Sequence, residues 1–356
     1  MPLAIDSSGR RRSRPLRLEQ DEHLWFITTR TIEERFWLHP LLTTGLEPPN
    51  RKARRACDRF KRRCAKRWVR LARRANARKK PMAPELTPEE VKRMAQNLLG
   101  AALARAQEHC EVEIFAIVCM SNHIHLVIRT KKRNLSKFVG YFKARVATAI
   151  NQLTGKRGPL WARRYDAQPI LNDEAAMERV VYTIDNPGKA NLVEDPGGWP
   201  GFSAAYGLGE ADELTFEYFD RTAWHKAKRP RDRGPFWRTA TLVLSPLPNC
   251  VDVVRERVGE SLRAQLKNSS EARAAGGKRA VGIERVLAAG FETRPQKASF
   301  GRRPYCFGSA REKREYSEGM GRVCRLHAEA AERFRNGDRT AVFPAGTYPP
   351  ALPLAA

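Results

Sequence analysis

Apolar residues run almost without interruption from position 111 to 130, EVEIFAIVCMSNHIHLVIRT, with a break at Ser121-Asn122. Two short aliphatic runs joined by a polar pair predict adjacent antiparallel strands, the first over 111–120 and the second ending at Thr130. Aromatic and β-branched residues in HLWFITTR predict an earlier strand over 23–30, with 31–38 continuing into a turn and a short helix. Elsewhere the apolar spacing changes to three and four. Val91, Met94, Leu98, Ala101 and Ala102 predict a helix over 88–108, opened by a capping box of Thr87 and Glu90. Leu135, Phe138, Val139, Phe142, Val146 and Ile150 predict a second over 134–154, closed by Gly155. A strand over 161–171 follows, and then a helix over 174–185, capped by Asn172 or Asp173, with Met177, Val180, Val181 and Ile184 as its stripe. Strand, helix, strand, strand, helix, strand, helix is an α+β arrangement, the ferredoxin-like split βαβ with an antiparallel sheet and a terminal helix. Helices are expected on one face of that sheet, with the other comparatively open.

Side chains alternate along a strand, so His123 and His125 share one face while Ile124, Leu126 and Ile128 share the other. The aliphatic face belongs against the helices, which puts the imidazoles on the open face. There they either reach one metal ion together or stand as two partly exposed histidines. On the terminal helix Tyr182 projects nearly opposite the apolar stripe, at about 100° per residue. Asn186, four residues on, falls on the same side just before Pro187. Taken alone, that pair also reads as a surface tyrosine and a helix terminus.

Charge narrows the partners. Lys and Arg number 66 against 39 Asp and Glu, a net charge of +27, which suits a polyanion. The segment 51–80 is the densest in positive charge, yet Cys57, Phe60, Cys64, Trp68 and Leu71 recur at helical spacing. It is expected to form a basic amphipathic helix within an insertion at about 45–85, either contacting phosphate or lying solvated. Candidate phosphate contacts are Arg62, Arg63, Lys66 and Arg67 there, Lys137 and Lys143 on the 134–154 helix, and Arg163 and Arg164 near the start of the 161–171 strand. No apolar run is long enough to cross a membrane, and the Arg-rich segment 1–20 reads as a mobile tail without the apolar core of a secretory signal. A cytoplasmic, nucleoid-associated protein is expected. Seven cysteines show no CxxC pair and read as free, mostly packed thiols.

Beyond the core, 210–235 is expected to be a linker and 236–356 a mostly helical accessory region. Within the latter, 239–244 reads as a strand and 250–266, 280–288 and 311–335 as helices. His109, His225 and His327 lack a partner motif and are expected to pack or lie at the surface.

Four segments in order, SNHIHLVI, GPLWARRYDAQPI, YTIDNPGKANLV and WPGFSAAYGLG, resemble the REP-associated tyrosine transposases, a branch of the single-tyrosine HUH transposases of bacterial insertion sequences. The resemblance spans about 23–209, and VFPAGTYPP is similar to the tail of longer members. It implies an HUH nuclease core over 21–209, with His123, His125 and Asn186 as ligands of Mg²⁺ or Mn²⁺ and Tyr182 as nucleophile. It also implies cleavage and strand transfer of single-stranded or hairpin DNA through a 5′-phosphotyrosine, by a monomer or homodimer. Gly188 and Lys189 depart from the family's usual hydrophobic residue and Arg, and Thr183 from its usual aliphatic. The alternative is a domesticated, non-catalytic DNA- or RNA-binding regulator. Exposed aromatics on the central strands would suit RNA better than the histidines found here.

Overall fold

A computed structural model of the chain describes residues 21–43, 88–154, 157–208, 211–248, 279–289, 305–345 and 347–350, with isolated positions between 256 and 276 and at 293. The tail 1–20, the insertion with Arg62, Arg63, Lys66 and Arg67, the Thr87 capping box, the Gly155 cap and most of the 250–266 helix lie outside the described residues.

The core is a five-stranded antiparallel sheet in the order β4-β1-β3-β2-β5. Its strands are β1 (His23–Arg30), β2 (Val112–Cys119), β3 (His123–Thr130), β4 (Asp166–Ile170) and β5 (Ser203–Ala205). The helices of this region are α1 (Pro40–Thr43), α2 (Pro88–Cys110), α3 (Leu135–Thr154), α4 (Asp173–Ile184) and the single turn α5 (Asn186–Lys189). The first four strands with α2 and α3 make the ferredoxin-like split βαβ; β5, from the WPGFSAAYGLG segment, extends it beyond β2. The strand expected over 161–171 shortens to β4, and Trp161 makes only an isolated bridge to Thr31.

Strand β3 is paired along its length with β1, from His23↔Thr130 to Arg30↔His123, and on its other side with β2. Ile124, Leu126 and Ile128 are buried against α2 and α3 among Leu103, Phe138 and Phe142. The opposite face is not open as the sequence suggested. Phe26, Phe115 and Val127 make that face apolar too, and α4 covers it with Val180, Val181 and Ile184. Two apolar faces demand two layers of cover, so the sheet lies between α2 and α3 on one side and α4 on the other.

The expected linker over 210–235 is instead largely ordered. Residues of β6 (Glu213–Phe219) and β7 (Trp237–Val243) form an antiparallel hairpin, joined through α6 (Arg221–Lys226). Leu214, Phe216 and Tyr218 alternate with polar residues and turn one face of the hairpin to α2. A side chain at Gly100 of α2 would run into the Phe216 ring, so glycine permits this approach. Two amides fasten the hairpin: Asn97 bonds the N–H and carbonyl of Glu217 at 2.9 and 2.7 Å, and Gln107 those of Val243 at 2.9 and 2.8 Å.

Further on are α7 (Ile283–Ala288) and α8 (Ala310–Arg335), the latter opened by a capping box of Ser309 and Glu312. The segment 342–350 folds back on α8 through Phe343, whose ring lies 5.8 Å from Phe334, and through the Tyr348 carbonyl, 3.0 Å from His327 Nε2. Among the described residues Cys110, Cys119 and Cys306 are buried free thiols and Cys324 is exposed, and no helix is long and apolar enough to cross a membrane. His109 stacks on Tyr141 and His225 accepts from Arg229, both at exposed positions.

Ile124 is 1% exposed between the two histidines. Truncation to alanine should cost about 2–5 kcal/mol. Urea unfolding of Ile124→Ala measures it, and a loss well under 1 kcal/mol would mean that the layer beneath β3 repacks freely.

Candidate active site

His123 opens β3 and His125 lies one pleat further, with ring centroids 4.9 Å apart and nearly perpendicular. His123 is half-buried and His125 buried. Each ring is oriented through Nδ1: that of His123 lies 2.6 Å from Asn122 Oδ1, and that of His125 lies 3.0 Å from Thr28 Oγ1 on the neighbouring strand. An amide oxygen only accepts, so the His123 proton sits on Nδ1 and the Nε2 lone pair is not used by that bond. Phe26 stacks flat against His125 at 5.2 Å.

Helix α4 delivers the tyrosine. Asn172 caps its first turn by accepting from the Ala175 N–H, and Val180, Val181 and Ile184 press it to the sheet. Tyr182 is therefore not on an outer face as its angular position suggested; it is half-buried at the flank of the stripe. Its ring lies 5.6 Å from that of His125 and 5.8 Å from that of Phe26, edge-on to both. His125 is thus the ring that both His123 and Tyr182 approach.

Asn186 is buried, at the start of α5 rather than on the last turn of α4. Asp185 separates the two helices and is fully buried. A Cβ at Gly188 would come within 2.6 Å of Asp185 Oδ1, which accounts for glycine where the resembled family carries a larger residue. Among the described residues no hydrogen bond joins the Asn186 side chain to His123, His125 or Tyr182, and no group of three or more His, Cys, Asp and Glu is placed to hold a metal ion. The two histidines would need an oxygen ligand of another kind, such as an amide.

Two cations flank Tyr182. Arg179, one turn earlier, places its guanidinium carbon 4.9 Å from the ring centroid, and the Lys189 ammonium is 4.6 Å from it. Arg179 also lies over Phe307 at 4.3 Å, and its Nε is buried with no hydrogen-bond partner among the described residues. Burial lowers its pKa, opposed by the Glu178 carboxylate and by Tyr182. Lys189 is lowered by burial too, with Asp185 opposing and Arg179 reinforcing, so the two cations feel each other. Sequence reasoning missed Arg179. The available signal was its spacing of three from Tyr182, which puts both on one helical face. Phe307 was not foreseeable locally: it adds to the edge of β4, accepting from the Leu171 N–H and donating to the Pro169 carbonyl, from far along the chain.

The other described candidate phosphate contacts lie on α3 and in the loop that follows it. Lys137 is exposed and Lys143 half-buried on α3, across the sheet. Arg163 and Arg164 are exposed in the loop after it, tied to the end of β1 by the Ala162 N–H on the Arg30 carbonyl. Lys143 donates to the Arg163 carbonyl at 3.1 Å.

Residues 77–181 match the family model described as Transposase IS200 like. This segment, less than a third of the chain, is similar to the IS200-like transposases, as the motif resemblance implied. It contains both histidines and ends one residue before Tyr182. Among solved structures, a REP-associated tyrosine transposase bound to a REP hairpin matches with a TM-score of 0.32 and 16% identity, covering 54% of this chain and 81% of that one. A search of curated proteins found no match.

Burial lowers the Lys143 amine to about 8, well under an ordinary lysine. Because the folded value is depressed, the charged form opposes folding below pH 8, and the penalty is relieved as pH rises from there toward the unfolded value near 10.4. Carbon-13 NMR at Cε should titrate with a midpoint near 8; a midpoint above 10 would refute the burial argument.

Proposed function

We propose that the chain cleaves and rejoins single-stranded DNA, with hairpin-forming repeats as substrate, using Tyr182 as nucleophile. The observation that carries this reading is the His125–Tyr182 approach, 5.6 Å between rings, beside a second histidine on the same face of β3. A phenol brought from a helix onto an imidazole pair has no packing need for either polar group. Two histidines oriented through Nδ1 fit a divalent ion, because a ligating imidazole is commonly steered by a bond at its other ring nitrogen, and imidazole nitrogen with an amide oxygen makes a mixed donor set that suits Mn²⁺ at least as well as Mg²⁺. His123, His125 and Asn186 would hold the ion, which when bound supplies Lewis-acid polarisation of a phosphodiester oxygen.

The rest of the step belongs to the chain's own residues. The Tyr182 oxygen, having lost its proton, attacks phosphorus; the bond from phosphorus to the 3′-oxygen breaks, and that oxygen leaves as a hydroxyl after taking up a proton. Arg179 and Lys189 lie where their charge meets the transferring phosphate, and fixed cations of this kind stabilise charge that develops during transfer. Phe26 and the Thr28 hydroxyl keep the His125 ring from turning. The product is a 5′-phosphotyrosine, and attack by another 3′-hydroxyl reverses the step and joins strands.

Incubation of the full chain with 3′-labelled hairpin DNA and Mn²⁺ tests this reading. A labelled, protein-sized band on a denaturing gel is expected, absent in Tyr182→Phe and in the double His123→Ala, His125→Ala variant, with DNA binding retained in both. An adduct at wild-type yield from Tyr182→Phe would place the nucleophile elsewhere. Replacing Thr28 by Val should reduce adduct formation by about 10–100-fold, the usual cost of removing the hydrogen bond that orients a ligating histidine. An unchanged rate would mean that Phe26 alone fixes the ring.

A further inference from the structure

On the side of the sheet away from Tyr182, a cavity of about 530 Å³ lies between the β6–β7 hairpin and helices α2 and α3. Arg105 of α2, Arg145 of α3, Arg221 of α6 and Arg233 of the hairpin connection line it, together with Tyr218 and Trp237. We propose that this cleft is a second nucleic-acid site, which holds a single-stranded segment by its phosphates and by a base stacked on Trp237. It needs no chemistry at Tyr182 and stands or falls apart from the reading above.

Charge makes the first argument. Four guanidinium groups surround one concave wall, and among the described residues none of them forms an ion pair. Two carboxylates also face the cleft, and one is engaged: Asp220 accepts from the Ala223 N–H as the cap of α6. Like charges gathered in a concave, partly desolvated place focus a positive potential that an anion relieves. The Arg221 guanidinium is lowered by burial first and by Arg233 second, consistent with that crowding.

Aromatic geometry makes the second. Arg105 lies 3.9 Å above the Tyr218 ring, and Arg233 lies 4.8 Å from Trp224 and 5.6 Å from Phe219. A guanidinium laid flat on a ring keeps its N–H edge directed outward, where it matches phosphate oxygens. Trp237, next to Phe219 at 5.7 Å, is 54% exposed, a large apolar ring left in water beside four cations. A stacking ring within a basic groove is the combination that grips unpaired nucleotides, whereas a duplex keeps its base faces covered. The volume falls within the range of about 300–1,000 Å³ that suits a small ligand or a nucleotide. An acidic peptide would use the charge and leave the tryptophan unused.

Fluorescence anisotropy of the full chain with a labelled oligothymidylate of about 12 nucleotides, within the span of known single-strand sites, tests the proposal in EDTA, so that no covalent product forms. Arg105→Gln with Arg233→Gln should weaken binding and reduce the slope of log affinity against log salt by about 1.4, or about 0.7 per phosphate released. Trp237→Leu should weaken binding by about fivefold or more at an unchanged slope, as loss of a stacked base does. Cross-links from bromouridine-substituted DNA should map to the peptide containing Trp237. Thermal melts matching the parent show that the variants are folded, and Trp237, being exposed, serves as the substitution least able to disturb the core. The proposal is overturned if both variants keep the parent's affinity and slope, or if cross-links map only to the Tyr182 face. It also falls if blunt duplex binds as tightly as the single strand, or if polyglutamate displaces the DNA as well as unlabelled oligothymidylate does.

Discussion

Pairing of β3 on both sides is the constraint on which the rest of the molecule depends. Between β1 and β2 its register cannot shift by one residue without exchanging its two faces, which would expose Ile124, Leu126 and Ile128 and drive His123 and His125 into the layer of α2 and α3. The aliphatic set therefore does more than fill a core. By fixing which way the strand faces, it determines which surface receives α4 and hence where Tyr182 can arrive. Stability and site geometry rest on the same alternation.

The second layer explains how a polar pair can be buried there. His125 is nearly inaccessible, yet it is stacked on Phe26, hydrogen-bonded to Thr28 and met edge-on by Tyr182. Buried polar groups with partners cost little, and the partners here come from a neighbouring strand and a helix that already pack for apolar reasons. Arg179 follows the same logic with rings in place of oxygens, since Phe307 and Tyr182 flank its guanidinium.

Local pattern was enough for what is local. Alternation at 123–130 and spacings of three and four at 135–150 come from strand and helix geometry, and the four core strands and three main helices follow from them within a few residues. What was misread depends on pairings between distant segments. Met177, Val180, Val181 and Ile184 announce an apolar stripe without naming the surface that takes it. That surface was disguised because β1 and β2, apolar on both faces, read as continuous hydrophobic runs, while on β3 the two histidines mask Val127 on the same face. Ser203–Ala205 has too little pattern to be read as a strand and exists because β2 had an edge to offer. ELTFEYF does alternate, but beside the basic, proline-containing 226–234 a single alternating run does not announce the partner strand β7 that makes it a hairpin. Of the site, His123, His125 and Tyr182 were legible; Arg179 looked like a solvated charge because Phe307, the ring beneath it, lies far along the chain.

One small network ties the ends of the molecule together. Asn172, whose oxygen caps α4, also donates through Nδ2 to Glu312 Oε2 at 2.5 Å, and that carboxylate accepts from the Ser309 N–H and hydroxyl to close the cap of α8. Two helix starts therefore share one carboxylate. Free energy stored in a shared cap is reciprocal: whatever steadies the beginning of α8 steadies the beginning of α4 by the same amount, and fraying of either loosens the other. The long carboxy-terminal helix thus acts as a thermodynamic ballast on the helix that carries the tyrosine.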